Sequence, residues 1–448
     1  MSRRDAMIAA HRFGLGPRPG EVAGIGADPR GWLLEQLDAP YQVPGPMAAL
    51  PPVSENVLDW WDAVLISVAE LVRRIGSDYR ALWRREVLAR LEVAVTTEQP
   101  FRERLVWFWG NHFTVSRLKS VAVGMAGGHE REAVRPHVTG TFNNLLHEAV
   151  SHPAMLFYLD NYSSVGPGSY RGTAAYYNRG LNENLGREIL ELHTLGVQTG
   201  YSQGDVHAFA KMLTGWTFGR KYDTNPGGFQ FAAKSHEPGP KQLLGRTYEE
   251  AGEAEGRAAL DWLATQQTTA RHVATKFARH FIADNPPEQA VDILTRAFLG
   301  TGGDLAELAR TVINLPAAWD PELVKFRTPH EYVVGALRAV GGTPHYDHVM
   351  EVLSSFGQVP FTQPSPAGWA DVEDAWLNPD SALRRARFAA TTATAAAPEY
   401  GGMPGLAEII RDTLEDRAPA ATLAMINAAA NDQEALALLL ASPAMQRR

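Results

Sequence analysis

One carboxylate and one histidine, Glu188 and His112, occupy helical positions where apolar residues would be expected. In LNENLGREILELHTLGV, residues 181–197, a period of ~3.6 places Leu181, Leu185, Ile189, Leu192 and Leu195 on one face, with Glu188 among them. A carboxylate there loses solvent and must either find a cation or keep its proton. Asn184 and Glu191, four before and three after it, border the same side. A desolvated carboxyl beside a second one has the makings of a general acid with a raised pKa. The plainer alternative is a buried ion pair with an arginine of a neighbouring helix. His193, on the other border of this helix and just before Gly196, suits a structural C-terminal cap as well as a catalytic role. Glu183 and Arg187 are spaced to pair with each other.

The second anomaly is FRERLVWFWGNHF, residues 101–113. Phe101, Leu105, Phe108 and Trp109 form the apolar face and His112 sits within it, making it a candidate partner for Glu188. Asn111 points away, toward Trp107 and Arg104. Polar and aromatic residues in loops complete the candidate site: Asp160 and Asn161 at the mouth of a long loop, Tyr177 and Arg179 at its end, Trp216, and His236 in an irregular segment. With Asn111, Asn184 and Arg187 they form a substrate-holding set, because aromatic platforms beside amides, arginines and carboxylates suit sugars and other polar molecules. The catalytic set is Glu188, Glu191, His112 and His193. Ser202 with Asp205, and Thr328-Pro329 with Glu331, read as helix caps.

No motif names a cofactor. The chain has no cysteine, which removes disulfides, zinc–thiolate sites and thiol nucleophiles. Serine-hydrolase elbows, phosphate-binding glycine loops and established metal motifs are missing too. His112, Glu188, Glu191, His193 and His236 are the residues from which a nitrogen–oxygen metal site would have to be built. Glu191 and His193 diverge too far on a helix to share one ion. The net charge of −8 and the short, scattered basic clusters argue against nucleic acid. No apolar run reaches the ~18 residues of a membrane span, and Met1–Gly20 lacks the apolar core of a secretory signal. Cytoplasmic residence, or export alongside a partner, is the expectation.

Helical periodicity dominates the elements that must position these groups. Helices are expected over 55–72, 77–96, 100–113, 130–150, 181–195, 203–215, 252–265, 268–282, 287–298, 303–313 and 329–340. The segment 41–54 is proline-rich, 160–180 is a candidate lid loop, and 217–248 has the glycines and aromatic alternation of one short hairpin. The fold class is all-α or nearly so: one large multi-helix domain over 1–340, with an irregular Pro/Trp segment and C-terminal helices, 341–448, packed on it.

The strings RERLVWFWGNHF, HPAMLFYLDN, GLNENLGREILELHTLGV, TGWTF, HEPGPK and KFRTPHEYVVGALRAVG, with HRFGLGPRPGE before them and PSPAGW after, resemble a bacterial family called domain of unknown function 1800. The resemblance carries no settled activity. It suggests a protein partner exported by the twin-arginine route. Three functions stay open: an acid–base enzyme acting on a polar substrate such as a glycan, with Glu188 as acid or base; a non-enzymatic assembly or export partner; and a metal-dependent hydrolase using His112 or His236.

Overall fold

A computed structural model describes residues 2–174, 179–197, 199–341, 346–399, 405–414 and 417–448. It is nearly all helical, with two small antiparallel hairpins. One apolar core runs through it, drawing on Ile8 and Phe13 at one end of the chain and on Leu439 and Met445 at the other.

The long apolar periods form helices where expected: Asp78–Thr96, Pro100–His112, Gln267–Phe281 and Pro329–Val340. Two expected helices are broken. The run 55–72 divides at Ser67, whose extended backbone ends Val53–Ile66 and whose Oγ accepts from the amide of Glu70 to start Val68–Gly76. The run 130–150 breaks at Pro136 into a π turn, Glu130–Val134, a 3-10 turn, Arg135–His137, and a helix Phe142–Ser151 capped by Thr141. The expected single hairpin is two, Trp216–Phe218 with Phe229–Phe231 and Lys241–Leu243 with Arg246–Tyr248. The second turns on Leu244 and Gly245, both with positive φ, as a tight two-residue hairpin turn requires. The candidate lid is stitched down over its described part: the amides of Gly166 and Arg171 donate to the carbonyls of Ser235 and Lys234 at 2.8 and 2.9 Å.

The helix bearing Glu188 departs from a regular wheel. It is α-helical over Asn184–Glu188 and then a π turn over Ile189–His193. A π turn carries extra residues per turn and shifts the face that follows it. Leu190, placed opposite the core by a regular wheel, is fully buried, whereas Leu192 is only half-buried. Glu188 is likewise half-buried, which corrects the expectation that it lies deep in the core.

Buried arginines tie the chain's distant parts together. Arg12 donates to the carbonyls of Ala318, Asp320 and Glu322, and Arg338 to those of Gly16, Ala94, Val95 and Thr97. Glu331 closes a capping box with Thr328 and also pairs with Arg104 and, at 3.0 Å, with Arg448. Removing one partner of such a buried pair strands the other charge. Glu331→Gln is expected to lower the unfolding free energy by ~3 kcal/mol or more in urea titrations. A loss below ~1 kcal/mol would show that the pair is dispensable.

Glu86 provides a pH test of the core. Burial outweighs Arg131 and raises its carboxyl to about 7 from an ordinary 4.5. A folded-state pKa above the unfolded one means the fold binds the proton more tightly. This contribution is complete below the unfolded value of 4.5 and is lost as pH rises through 7. The stability of Glu86→Gln should therefore fall less than wild type between these limits, by ~2–3 kcal/mol in denaturation curves taken across the range.

Candidate functional site

Three cavities are prominent among the described residues. The largest, about 440 Å³, lies under the proline-rich segment around Tyr41, where Arg135 pairs with Glu103 and Arg102 donates to the carbonyl of Ala39. A second, about 240 Å³, holds His236, whose Nδ1 lies 2.9 Å from the carbonyl oxygen of Thr214 and whose Nε2 lies 3.2 Å from Glu255. The third, about 260 Å³, is enclosed by the Pro100–His112 and Gln267–Phe281 helices, the start of Pro329–Val340 and the irregular segment 358–371. It holds both free and paired titratable groups and is the candidate site.

One wall is an electrostatic lattice. Arg90 Nε lies 2.9 Å from both oxygens of Glu130, which also accepts from Arg135 at 3.1 Å. The Arg90 guanidinium lies 5.1 Å from the centre of Trp107, and His330 stacks on that indole with ring centres 4.1 Å apart. The roof is the segment around Trp369. Asn111 grips it by both ends of its amide: Nδ2 donates to the Trp369 carbonyl at 2.9 Å and Oδ1 accepts from the Trp369 amide at 2.7 Å. Gly368 permits the approach, since a Cβ there would sit 2.5 Å from the carbonyl oxygen of Asn111.

The opposite wall carries Lys276, Arg279 and His280, on one helix at spacings that bring them to adjacent positions. His280 Nδ1 lies 2.8 Å from Asp371 Oδ2, and its Nε2 is buried without a partner. Asp371 also receives Lys325, at 2.9 Å. Burial alone would raise Asp371, but the Lys325 ammonium and the hydrogen bond from His280 outweigh it and hold the carboxyl well below its ordinary range. Burial lowers His280 despite Asp371, so the ring is neutral at pH 7. With Nδ1–H donating to Asp371, the lone pair lies on Nε2. Burial also brings the Lys276 ammonium down to about 8.

Of the residues singled out from sequence, Asn111 lines this cavity and His112 backs it. His112 is fully buried. It bridges the carbonyl of His193, 3.1 Å from Nε2, and Lys276, whose Nζ lies 3.0 Å from Nδ1. Burial first, then Lys276, drives its pKa far down, so it is a neutral acceptor that positions the lysine. His193 is buried with neither ring nitrogen bonded. Its ring centre is 6.1 Å from that of His112.

The others lie elsewhere. Glu188 has no hydrogen bond or ion pair among the described residues. Burial and then Glu191 raise its carboxyl, but it lines none of the three cavities. The buried-arginine alternative and the proposed contact with His112 are both absent there. Arg187 pairs with Glu183 at 2.9 Å and lies 3.9 Å from Glu191. Asn184 and Arg179 are exposed. Asp160, left-handed at φ 59°, pairs with Lys119. Asn161 holds the carbonyls of Leu213 and Trp216, and Trp216 is fully buried. Tyr177 lies outside the described residues. No group of three or more histidines, aspartates or glutamates among the described residues is arranged to hold a metal ion.

The geometry defines a helical protein with a ligand-sized cavity lined by both charged and aromatic residues. Over residues 8–447 the chain matches the family model described as protein of unknown function (DUF1800), and it belongs to that family. No curated protein and no solved structure matches it.

Enclosure of Lys276 has a direct readout. After reductive methylation with ¹³C-formaldehyde, its dimethylamine resonance, assigned by Lys276→Arg, should titrate with a midpoint near 8, well below the ordinary 10.5. A midpoint above ~10, the solvated value, would place the amine in bulk water.

Proposed function

We propose that this chain is an acid–base enzyme acting on a small polar molecule in the cavity beneath Trp369, with His280 as the base. One observation carries the reading: a neutral histidine held by a buried carboxylate, its second nitrogen unbonded, in the wall of a ligand-sized cavity. Asp371 fixes the tautomer and would stabilise the imidazolium formed when Nε2 takes a proton. Lys276, one turn earlier and close to neutrality, supplies a second group able to give or take a proton. This keeps the acid–base chemistry anticipated from Glu188 and moves it to another wall of the fold. Glu188 has the raised carboxyl for such work but lines none of the three prominent cavities among the described residues.

The test is turnover of a panel of small esters, amides, hydroxy acids and glycosides by wild type, His280→Gln and Asp371→Asn. Where wild type turns a compound over, His280→Gln should cost ~100-fold or more in kcat and Asp371→Asn a substantial part of that. The wild-type rate should be level at neutral pH and fall below the ordinary histidine value of 6.5, because burial depresses His280. Turnover by His280→Gln within twofold of wild type would refute the assignment.

A docking role also has an observation in its favour. Val64, Leu65, Ile66, Val68 and Val72 form an exposed apolar ridge at the junction of Val53–Ile66 and Val68–Gly76, the kind of surface that marks contact with another protein.

A further inference from the structure

We infer that the cavity binds a small organic anion, its carboxylate or phosphate head held by Lys276 and Arg279 and its body against the aromatic wall of Trp107, Phe361 and Trp369. The inference names the substrate class of the site proposed above and rests on that reading for its biological meaning.

The argument is one of charge balance. Every carboxylate lining the cavity is already engaged: Glu130 by Arg90 and Arg135, Glu331 by Arg104 and Arg448, Asp371 by Lys325 and His280. Arg90 is thereby neutralised. Lys276 and Arg279 are not. Among the described residues neither makes an ion pair. The one hydrogen bond of Lys276 is to the neutral ring of His112, with Asp371 acting on it only beyond ion-pair distance, and the one hydrogen bond of Arg279 runs from Nε to the carbonyl of Asp284 at 3.1 Å, leaving its paired Nη groups free. The two are three residues apart on Gln267–Phe281, so both reach the same side. A guanidinium fork beside an ammonium matches the oxygens of a carboxylate or phosphate. Leaving two cations partly desolvated without an anion is costly, and a bound anion removes that cost.

The rest of the lining selects an organic body over a bare ion. Trp107, Phe361 and Trp369 offer aromatic surface, and Gln363 is buried with its Oε1 lacking a donor, so it can accept from a ligand hydroxyl or amide. The head would sit on the helix that carries His280, one residue from the proposed base.

Isothermal titration calorimetry at pH 7 with benzoate, phenyl phosphate, inorganic phosphate and neutral benzamide tests this on the full chain. Wild type should bind benzoate or phenyl phosphate at least tenfold more tightly than benzamide, and whichever anion is tighter identifies the head group. Lys276→Met and Arg279→Met, checked for wild-type melting, should each weaken binding at least tenfold. No binding of either aromatic anion by wild type, or undiminished binding by both variants, would overturn the inference. Inorganic phosphate binding as tightly as phenyl phosphate would overturn the organic body. His280→Gln separates the two proposals: retained anion binding with unchanged turnover sinks only the catalytic reading, and turnover lost in a protein that binds no anion sinks only this one.

Discussion

The structure hangs on Glu331. Its carboxylate caps the Pro329–Val340 helix through the amide of Thr328 and pairs with Arg104 from Pro100–His112 and Arg448 from the far end of the chain. Burial pushes such a carboxyl up, yet two guanidiniums hold it well below its ordinary range, so it stays ionised in the core. Three distant stretches of sequence are thereby locked to one side chain. Because Thr328, His330 and Glu331 line the candidate cavity, the same lock sets its floor. The surrounding arginines work on the same principle with carbonyl partners, since a fixed fork of donors can satisfy helix ends that apolar packing cannot.

That hub shows what was legible in the sequence and what was not. Thr328-Pro329 followed by Glu331 announces a capped helix, and the helix is there. The pairing with Arg104 and Arg448 joins residues 227 and 117 positions away, and no local pattern records it. Apolar periodicity was read correctly wherever one face met one core, as in Asp78–Thr96 and Gln267–Phe281. It fails at Ile189–His193, where a π turn rotates the face and buries Leu190; Glu188 is the last residue of the short α-helical stretch before that turn. Nothing in the residue types of that stretch announces the extra residue per turn.

The candidate site was harder to see for the same reason. Asn111 and His112 were noticed because they sit on or beside an apolar face, and both prove to border the cavity. Lys276, Arg279 and His280 lie on an amphipathic helix, where basic side chains are ordinary, and Asp371 lies in an irregular Pro/Trp segment. A basic triplet at these spacings is the available signal. Its meaning depends on the 358–371 segment folding over it, and that is set by Asn111 and by the space Gly368 leaves empty.

The arrangement also explains how a cavity with so many charges stays ordered. Its proposed base and its two free cations share one rigid helix, anchored at Lys276 by His112 and at His280 by Asp371. Both anchors are pairs in which one member is held in a single protonation state at neutral pH: His112 neutral by burial, Asp371 ionised by its cations. The groups left free to change charge are those whose environments have moved them toward working values, Lys276 downward and His280 to a neutral acceptor. Desolvation, usually a penalty on buried polar groups, here separates fixed charges from movable ones.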